Sequence, residues 1–293
     1  MNKLVRMISE DGTLYCLALN STEMVTEMQR LHNTSKVCSA ALGRLITGAA
    51  MMGALLKGEK DTLTLKISGG GPASPVVAVA NSKGQVKGYI GDSRVNLPLN
   101  NKGKLDVSGA VGKDGFLTVI KDLGLKEPYC AQTPIVSGEI AEDLTAYYAT
   151  SEQTPTVCAL GVLVDPQTEN VLLAGGFLIQ LLPTAGEDTI SLVEKSLENI
   201  KPVTTMLAEG LTPEEICKTV LSEFEMQLLD KQNVEYRCDC STERVTRALI
   251  SAGEEGLREM AEDEQTEVCC HFCNKKYIFT RDKILKLLKE ASK

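Results

Sequence analysis

Tryptophan is absent from this 293-residue chain, and histidine occurs only at His32 and His271. Acid–base chemistry built on imidazole therefore has almost nothing to work with. A basic surplus is missing too. The net charge is −8 and the isoelectric point about 5.1, which argues against a dedicated nucleic-acid binder, whose surface needs a basic face. No apolar run approaches the ~20 residues a membrane helix requires, and the opening MNKLVRMISEDG has no apolar signal core. The glycine triplet at 69–71 is followed by neither the Lys-Ser/Thr nor the helix of a phosphate loop, so it reads as a hairpin-type turn. Internal repeats and low-complexity tracts are lacking as well.

What the chain does have is a hydrophobic content of 43%, enough for a real core, and ten cysteines. Ten thiols without an export signal point to a reducing cytoplasm, where they stay free or bind metal.

The patterning predicts an α+β fold. Extended segments over 1–19 flank a turn at Asp11-Gly12, and Ser21 or Thr22 starts a helix toward Arg30 with Met24, Val25 and Met28 on one face. Residues 37–56 read as a helix that is apolar or small nearly all round. Gly43, Gly48 and Gly53 recur in it every five residues, as in a buried central helix whose glycines admit close neighbours. Short strands are expected over 63–67, 76–80, 86–91, 116–122, 133–139, 157–164 and 171–182, with a helix over 143–151. After 183–186 the texture changes: 189–200 and 213–227 carry apolar residues at helical spacing (Ile190, Val193, Leu197; Ile216, Val220, Phe224, Leu228). Thr212-Pro213-Glu214-Glu215 is a good helix start. The expected organisation is a mixed domain of helices and β-hairpins over 1–180, a helical linker over 181–231, and a small C-terminal Cys₄ zinc-binding domain over 232–293.

The last segment carries the chemistry. Cys238-Asp239-Cys240 and Cys270-His271-Phe272-Cys273 are separated by 29 residues. Two tight thiol pairs converging on one point make the tetrahedral four-thiolate site that Zn²⁺ prefers. CxxC is a common zinc-knuckle spacing, whereas CxC is tighter and rarer. Two readings stand side by side: a purely structural zinc, or a thiol switch in which each pair is close enough to close on itself as an easily reduced disulfide. Seven of the fifteen residues over 253–267 are acidic, against one arginine. A module of ~60 residues with that composition buries little apolar surface, and metal binding on the order of 10–16 kcal/mol exceeds what such a core supplies. Arg237, Lys275 and Lys276 flank the ligands and are expected to offset the thiolate charge. His271 is an alternative ligand that a complete Cys₄ shell does not need, and Cys269 is an extra thiol open to alternative ligation or pairing. Cys16, Cys38, Cys130, Cys158 and Cys217 fall in apolar segments, where a free thiol behaves as a small hydrophobe. The tail over 275–293 is expected to contain a packed amphipathic helix with Ile284, Leu285 and Leu288 on one side.

A run of motifs covers nearly the whole chain: ALGRL at 41–45, LKGE at 56–59, TLTLKISGGGP at 62–72, VIKD at 119–122, SGEIAEDL at 137–144, YY at 147–148, SEQ at 151–153, LGVLV at 160–164, AGGFLIQLLP at 174–183, CDCSTER at 238–244 and CHFC at 270–273. In this order they closely resemble the redox-regulated bacterial chaperone family known as heat-shock protein 33. The resemblance implies a holdase that works without ATP, is no enzyme, and is inactive when reduced and zinc-bound. It implies oxidation to Cys238–Cys240 and Cys270–Cys273 disulfides with loss of zinc, unfolding of the linker, and exposure of apolar surface. The implied partners are unfolding or oxidatively damaged client proteins and, in the active form, a second copy of the chain; neither membrane nor nucleic acid is expected. Cys269 is the one departure at the site. Two other readings compete. A thiol–disulfide oxidoreductase needs its CxxC at a helix N-terminus beside a thioredoxin-like βαβ unit. A zinc-ribbon nucleic-acid binder predicts binding that falls steeply with salt.

Overall fold

The computed structural model describes residues 2–291 and divides into two compact units, Met1–Arg237 and Cys238–Lys293. It is an α+β protein. The first unit opens with β1 (Lys3–Ser9), β2 (Leu14–Asn20), α1 (Thr22–His32) and α2 (Lys36–Gly53). Then come β3 (Thr62–Gly70), β4 (Val76–Asn81), β5 (Gln85–Ile90), α3 (Val107–Val111), β6 (Gly112–Asp122), β7 (Tyr129–Pro134) and α4 (Ala141–Tyr147). It closes with β8 (Thr156–Val164), β9 (Val171–Leu181), α5 (Glu187–Leu197), α6 (Val203–Ala208), α7 (Pro213–Val220), β10 (Met226–Asn233) and β11 (Glu235–Tyr236).

Two sheets result. One has the order β10-β1-β2-β9-β8 and is antiparallel throughout; the other runs β11-β5-β4-β3-β6-β7, with only the two-residue β11 parallel to its neighbour. Both sheets pack against α2, in which sixteen of eighteen residues are buried. Its glycines are what allow this. A Cβ at Gly43 would stand 2.8 Å from Val25 Cγ1 and 2.9 Å from Val162 Cγ2, and one at Gly53 would stand 2.9 Å from the Cβ of Ala80.

Period-two alternation on β2 splits its side chains between two cores. Leu17 and Leu19 face the α2 core. Leu14, Cys16 and Ala18 face a second cluster, where Val193, Val203, Met206, Leu207, Ile216, Cys217 and Val220 of α5–α7 cover the outer face of the five-stranded sheet. Helix α7 begins as its sequence predicts: the Glu215 N–H donates to Thr212 Oγ1 at 3.3 Å, and the Glu215 carboxylate accepts from the Thr212 N–H at 2.8 Å.

Three expectations need correction. The helix expected over 213–227 stops at Val220, because 226–233 finds open backbone partners on β1 and joins the sheet as its edge strand; Leu228 is therefore on a strand and exposed, as is Ile190 on α5. The strand expected over 133–139 lies earlier and ends at Pro134. Downstream, the buried carboxylate of Asp143 gathers the N–H groups of Val136, Ser137 and Ile140 at 2.8–3.0 Å, which bends this stretch out of any ladder. The expected helix over 143–151 is α-helical only to Tyr147 and continues as a wider π turn over Tyr148–Glu152.

Glycine-to-alanine in a helix interior ordinarily stabilises by up to about 1 kcal/mol. At Gly43 the sign reverses, because the two nearest groups are stiff β-branched valines in a packed core. We expect Gly43→Ala to lose about 1–3 kcal/mol in chemical denaturation; a gain in stability would contradict the packing described for α2.

Candidate metal centre

The second unit holds α8 (Thr242–Ser251), α9 (Gly253–Met260), the hairpin of β12 (Gln265–Cys269) and β13 (Lys276–Thr280), and α10 (Arg281–Ala291). The acidic stretch thus forms α9 and leads into β12. Its core is small: Leu249, Leu257, Ala261, Tyr277, Phe279, Ile284 and Leu287 are buried. Alternation along β13 turns Tyr277 and Phe279 inward and leaves Ile278 exposed.

Each thiol pair sits at a point the local sequence fixes. Cys238 and Cys240 precede α8, whose first turn is capped by Ser241 Oγ accepting from the Arg244 N–H at 3.3 Å. Arg244 also forms an ion pair with Asp239, between the two thiols. Cys270 and Cys273 occupy the tip of the β12–β13 hairpin. There the Cys270 N–H donates to Lys275 O at 2.9 Å, and the Cys273 and Asn274 N–H groups donate back to Cys270 O at 3.3 and 2.8 Å. Asn274 takes a left-handed conformation (φ 57°) to close the turn, which asparagine tolerates better than most residues.

These two frames bring four sulfurs together. The Sγ atoms of Cys238, Cys240, Cys270 and Cys273 all lie within 4.8 Å of one another. The contacts between pairs are 3.7 Å for Cys238–Cys270 and 3.4 Å for Cys240–Cys273. A tetrahedron of sulfurs at about 2.3 Å from a zinc ion has edges of about 3.8 Å. The cluster therefore has the donor set and very nearly the size of a Zn²⁺ site. All ten cysteines are free thiols. Cys269 is exposed at the end of β12 and His271 is exposed at the hairpin tip; neither belongs to the cluster.

Donors around the sulfurs are mostly backbone and phenol. The Cys240 N–H donates to Cys238 and the Lys275 N–H to Cys273, while the Tyr277 hydroxyl donates to Cys240 Sγ at 3.0 Å. Burial pushes the Cys238 thiol well up and carries Cys273 to about 11. Burial opposes ionisation of Cys240 too, but hydrogen bonds from Tyr277 and the other three cysteines outweigh it and bring that thiol down to about 7. The basic residues expected to neutralise the ligands are engaged elsewhere: Lys276 pairs with Glu267 at 2.9 Å, Arg237 with Glu235 at 3.2 Å, and the Lys275 ammonium lies over the Tyr277 ring, 5.3 Å from its centre. Sequence reasoning missed Tyr277. Its signal was an aromatic at an inward position of the alternating KYIFT run, four residues past the second pair.

Of the five thiols expected to be structural, Cys16, Cys38 and Cys217 are buried and Cys158 is partly so. Cys130 is the exception. It is exposed, because β7 is the outermost strand of its sheet and the residue faces outward.

The fold and cluster define a class: an α+β protein carrying a compact cluster of four thiols in a C-terminal module. A family model described as "Hsp33 protein" matches residues 2–280. The 33 kDa chaperonin of Clostridium perfringens (strain SM101) is 49% identical over 294 residues, spanning 100% of this chain and 93% of that protein. That of Clostridium botulinum (strain Hall) is 48% identical over 284 residues, spanning 97% and 96%. The crystal structure of the 33 kDa chaperonin (heat shock protein 33 homolog) from Thermotoga maritima matches with a TM-score of 0.90 at 36% identity, over 99% of each chain. The chain belongs to the Hsp33 family, a family of chaperones.

Binding a metal to this cluster must strip protons from at least Cys238 and Cys273 at neutral pH. Apparent zinc affinity should therefore rise by at least about a hundredfold per pH unit around pH 7, and fall as pH falls. Competition with a chromophoric chelator across about pH 6 to 8 measures this. An affinity flat in pH would mean that the thiols are not the ligands.

Proposed function

We propose that the chain is a redox-regulated, ATP-independent holdase of the cytoplasm, inactive while Cys238, Cys240, Cys270 and Cys273 hold Zn²⁺. The observation that carries this reading is the clustering of a CxC and a CxxC pair, each on its own short frame, in a member of the Hsp33 family. When bound, zinc would hold the four sulfurs as thiolates and clip residue 238 to residue 273. The protein's own residues supply the rest.

A thiolate attacks one oxygen of a peroxide, breaking the O–O bond and leaving a sulfenic acid; its neighbour displaces hydroxide from that sulfur to close the disulfide. Two thiols and one hydrogen peroxide thus become one disulfide and two waters. The proposed pairs are Cys238–Cys240 and Cys270–Cys273. Pairing within each motif matters, because each ring is tiny and the link across about 30 residues, a constraint of roughly 3–4 kcal/mol, is lost. Pairing across the motifs would preserve it. With the clip gone, residues 238–293 and then the linker, 181–231, lose their order. Departure of α5–α7 would uncover Leu14, Cys16, Ala18, Phe177 and Ile179 on the five-stranded sheet, an apolar patch of the kind that binds unfolded segments. The proposed partners are unfolding or oxidatively damaged proteins, and a second copy of the chain in the active form.

Peroxide with mild heat should release zinc, raise binding of a hydrophobic dye, and suppress aggregation of an unfolding client without ATP. Reduction with zinc resupplied should reverse all three. Equal protection by the reduced, zinc-loaded protein, or peptide maps showing Cys238–Cys270 and Cys240–Cys273 disulfides, would sink the mechanism.

A further inference from the structure

We infer that Tyr277 is a positioning residue that sets the oxidant threshold of the four-cysteine centre through the hydrogen bond its hydroxyl donates to Cys240 Sγ. The inference rests on the redox reading above and names a part of its regulation. Tyr277 lies at an inward position of β13, buried between the small core and the cluster, and its hydroxyl reaches the sulfur at 3.0 Å. Cys240 belongs to the CxC pair, well separated in sequence from the hairpin that carries Tyr277. The bond therefore joins the two ligand frames by a route other than the metal itself.

Its chemical effect has a definite sign. A sulfur already held as thiolate gains nothing in ionised fraction from a donor, because a coordinated thiol is deprotonated outright. What changes is the lone pair. A donor that stabilises the sulfur's charge makes it a poorer nucleophile, with about half of that stabilisation appearing as lost reactivity. The phenol thus acts as a brake on attack at peroxide, and it keeps the Cys240 side chain aimed at the other three sulfurs. Lys275 over the outer face of the ring, 5.3 Å from its centre, helps to hold the phenol in place.

Tyr277→Phe removes the hydroxyl and keeps the ring. In the full-length, zinc-loaded protein it should accelerate peroxide-driven zinc release about three- to tenfold. In the cobalt-substituted protein, without any oxidant, it should move the thiolate-to-metal charge-transfer band to longer wavelength. Phe279→Leu serves as the control, since Phe279 is fully buried in the same core but carries no hydroxyl; it should leave the band where it is. Replacement of residue 277 by 3-fluorotyrosine, a stronger donor of nearly the same shape, should shift both readings the opposite way, and it decides the matter even if Tyr277→Phe does not fold. Unchanged release and an unmoved band in the phenylalanine variant, or an equal acceleration from Phe279→Leu with no spectral difference, overturns the inference. A wild-type protein that keeps its zinc under peroxide fails at the earlier step and removes the switch itself.

Discussion

The C-terminal unit brings four sulfurs together from the two ends of residues 238–273, and a metal held by them would close that stretch into a loop. Seven buried side chains are its apolar core, far fewer than line α2 in the first unit. A polypeptide of this size gives up roughly 1–2 kcal/mol of backbone freedom for each residue it orders, and so few buried groups do not offset that. Joining the segment before α8 to the tip of the β12–β13 hairpin would narrow the unfolded chain's range of conformations, and the short helices and hairpin would then have something to pack on. The same four atoms are thiol sulfurs, the groups on which oxidation to disulfide acts. Structure and reactivity are thus placed on one set of residues.

The first unit is built on the opposite plan. Its two sheets share α2, and none of the four clustered cysteines belongs to that core. The covering on the outer face of the five-stranded sheet is different in kind. Helices α5, α6 and α7 contain eleven, six and eight residues, each shorter than the ~12–15 at which even a favourable isolated helix becomes marginal in water. They exist because Val193, Met206, Ile216 and Val220 rest on the sheet. Once lifted off, they would melt rather than remain as helices. Low-stability elements laid over a stable apolar face are what a protein needs if it is to uncover that face without losing its fold.

How much of this was legible follows from where the determining information lies. The central helix was plain, since its glycines and small residues stand in the chain at regular intervals. So were the Thr212 helix start and the thiol spacing, because caps and chelates are local. The boundary at Val220 was not. Nothing in residues 221–233 says that β1 presents an open edge to them, so helical spacing at Phe224 and Leu228 pointed the wrong way. Asp143 hid the irregular stretch at 135–140 for the same reason, since a buried carboxylate that collects four N–H groups from upstream looks in sequence like an ordinary helix-start acid. Tyr277 was missed because its partner lies 37 residues away. Alternation in the KYIFT run indicated that it faces inward, but only the folded hairpin shows what it faces.

The expected cations Lys276 and Arg237 are paired with carboxylates, so charge on the cluster is met chiefly by dipoles: two backbone N–H groups and one phenol. The distinction has a mechanical consequence. A mobile lysine would follow its thiolate through a change of shape, whereas an N–H at the hairpin tip or a phenol on β13 donates only while that hairpin is closed. Opening it withdraws both hairpin donors, the Lys275 N–H and the Tyr277 hydroxyl, leaving a thiolate they held more nucleophilic than before. On the proposed switch, the first disulfide therefore loosens the frame that restrains the second pair, and the second oxidation proceeds more easily than the first. A response that is sharp in oxidant follows from hydrogen bonds that hold only in the folded hairpin.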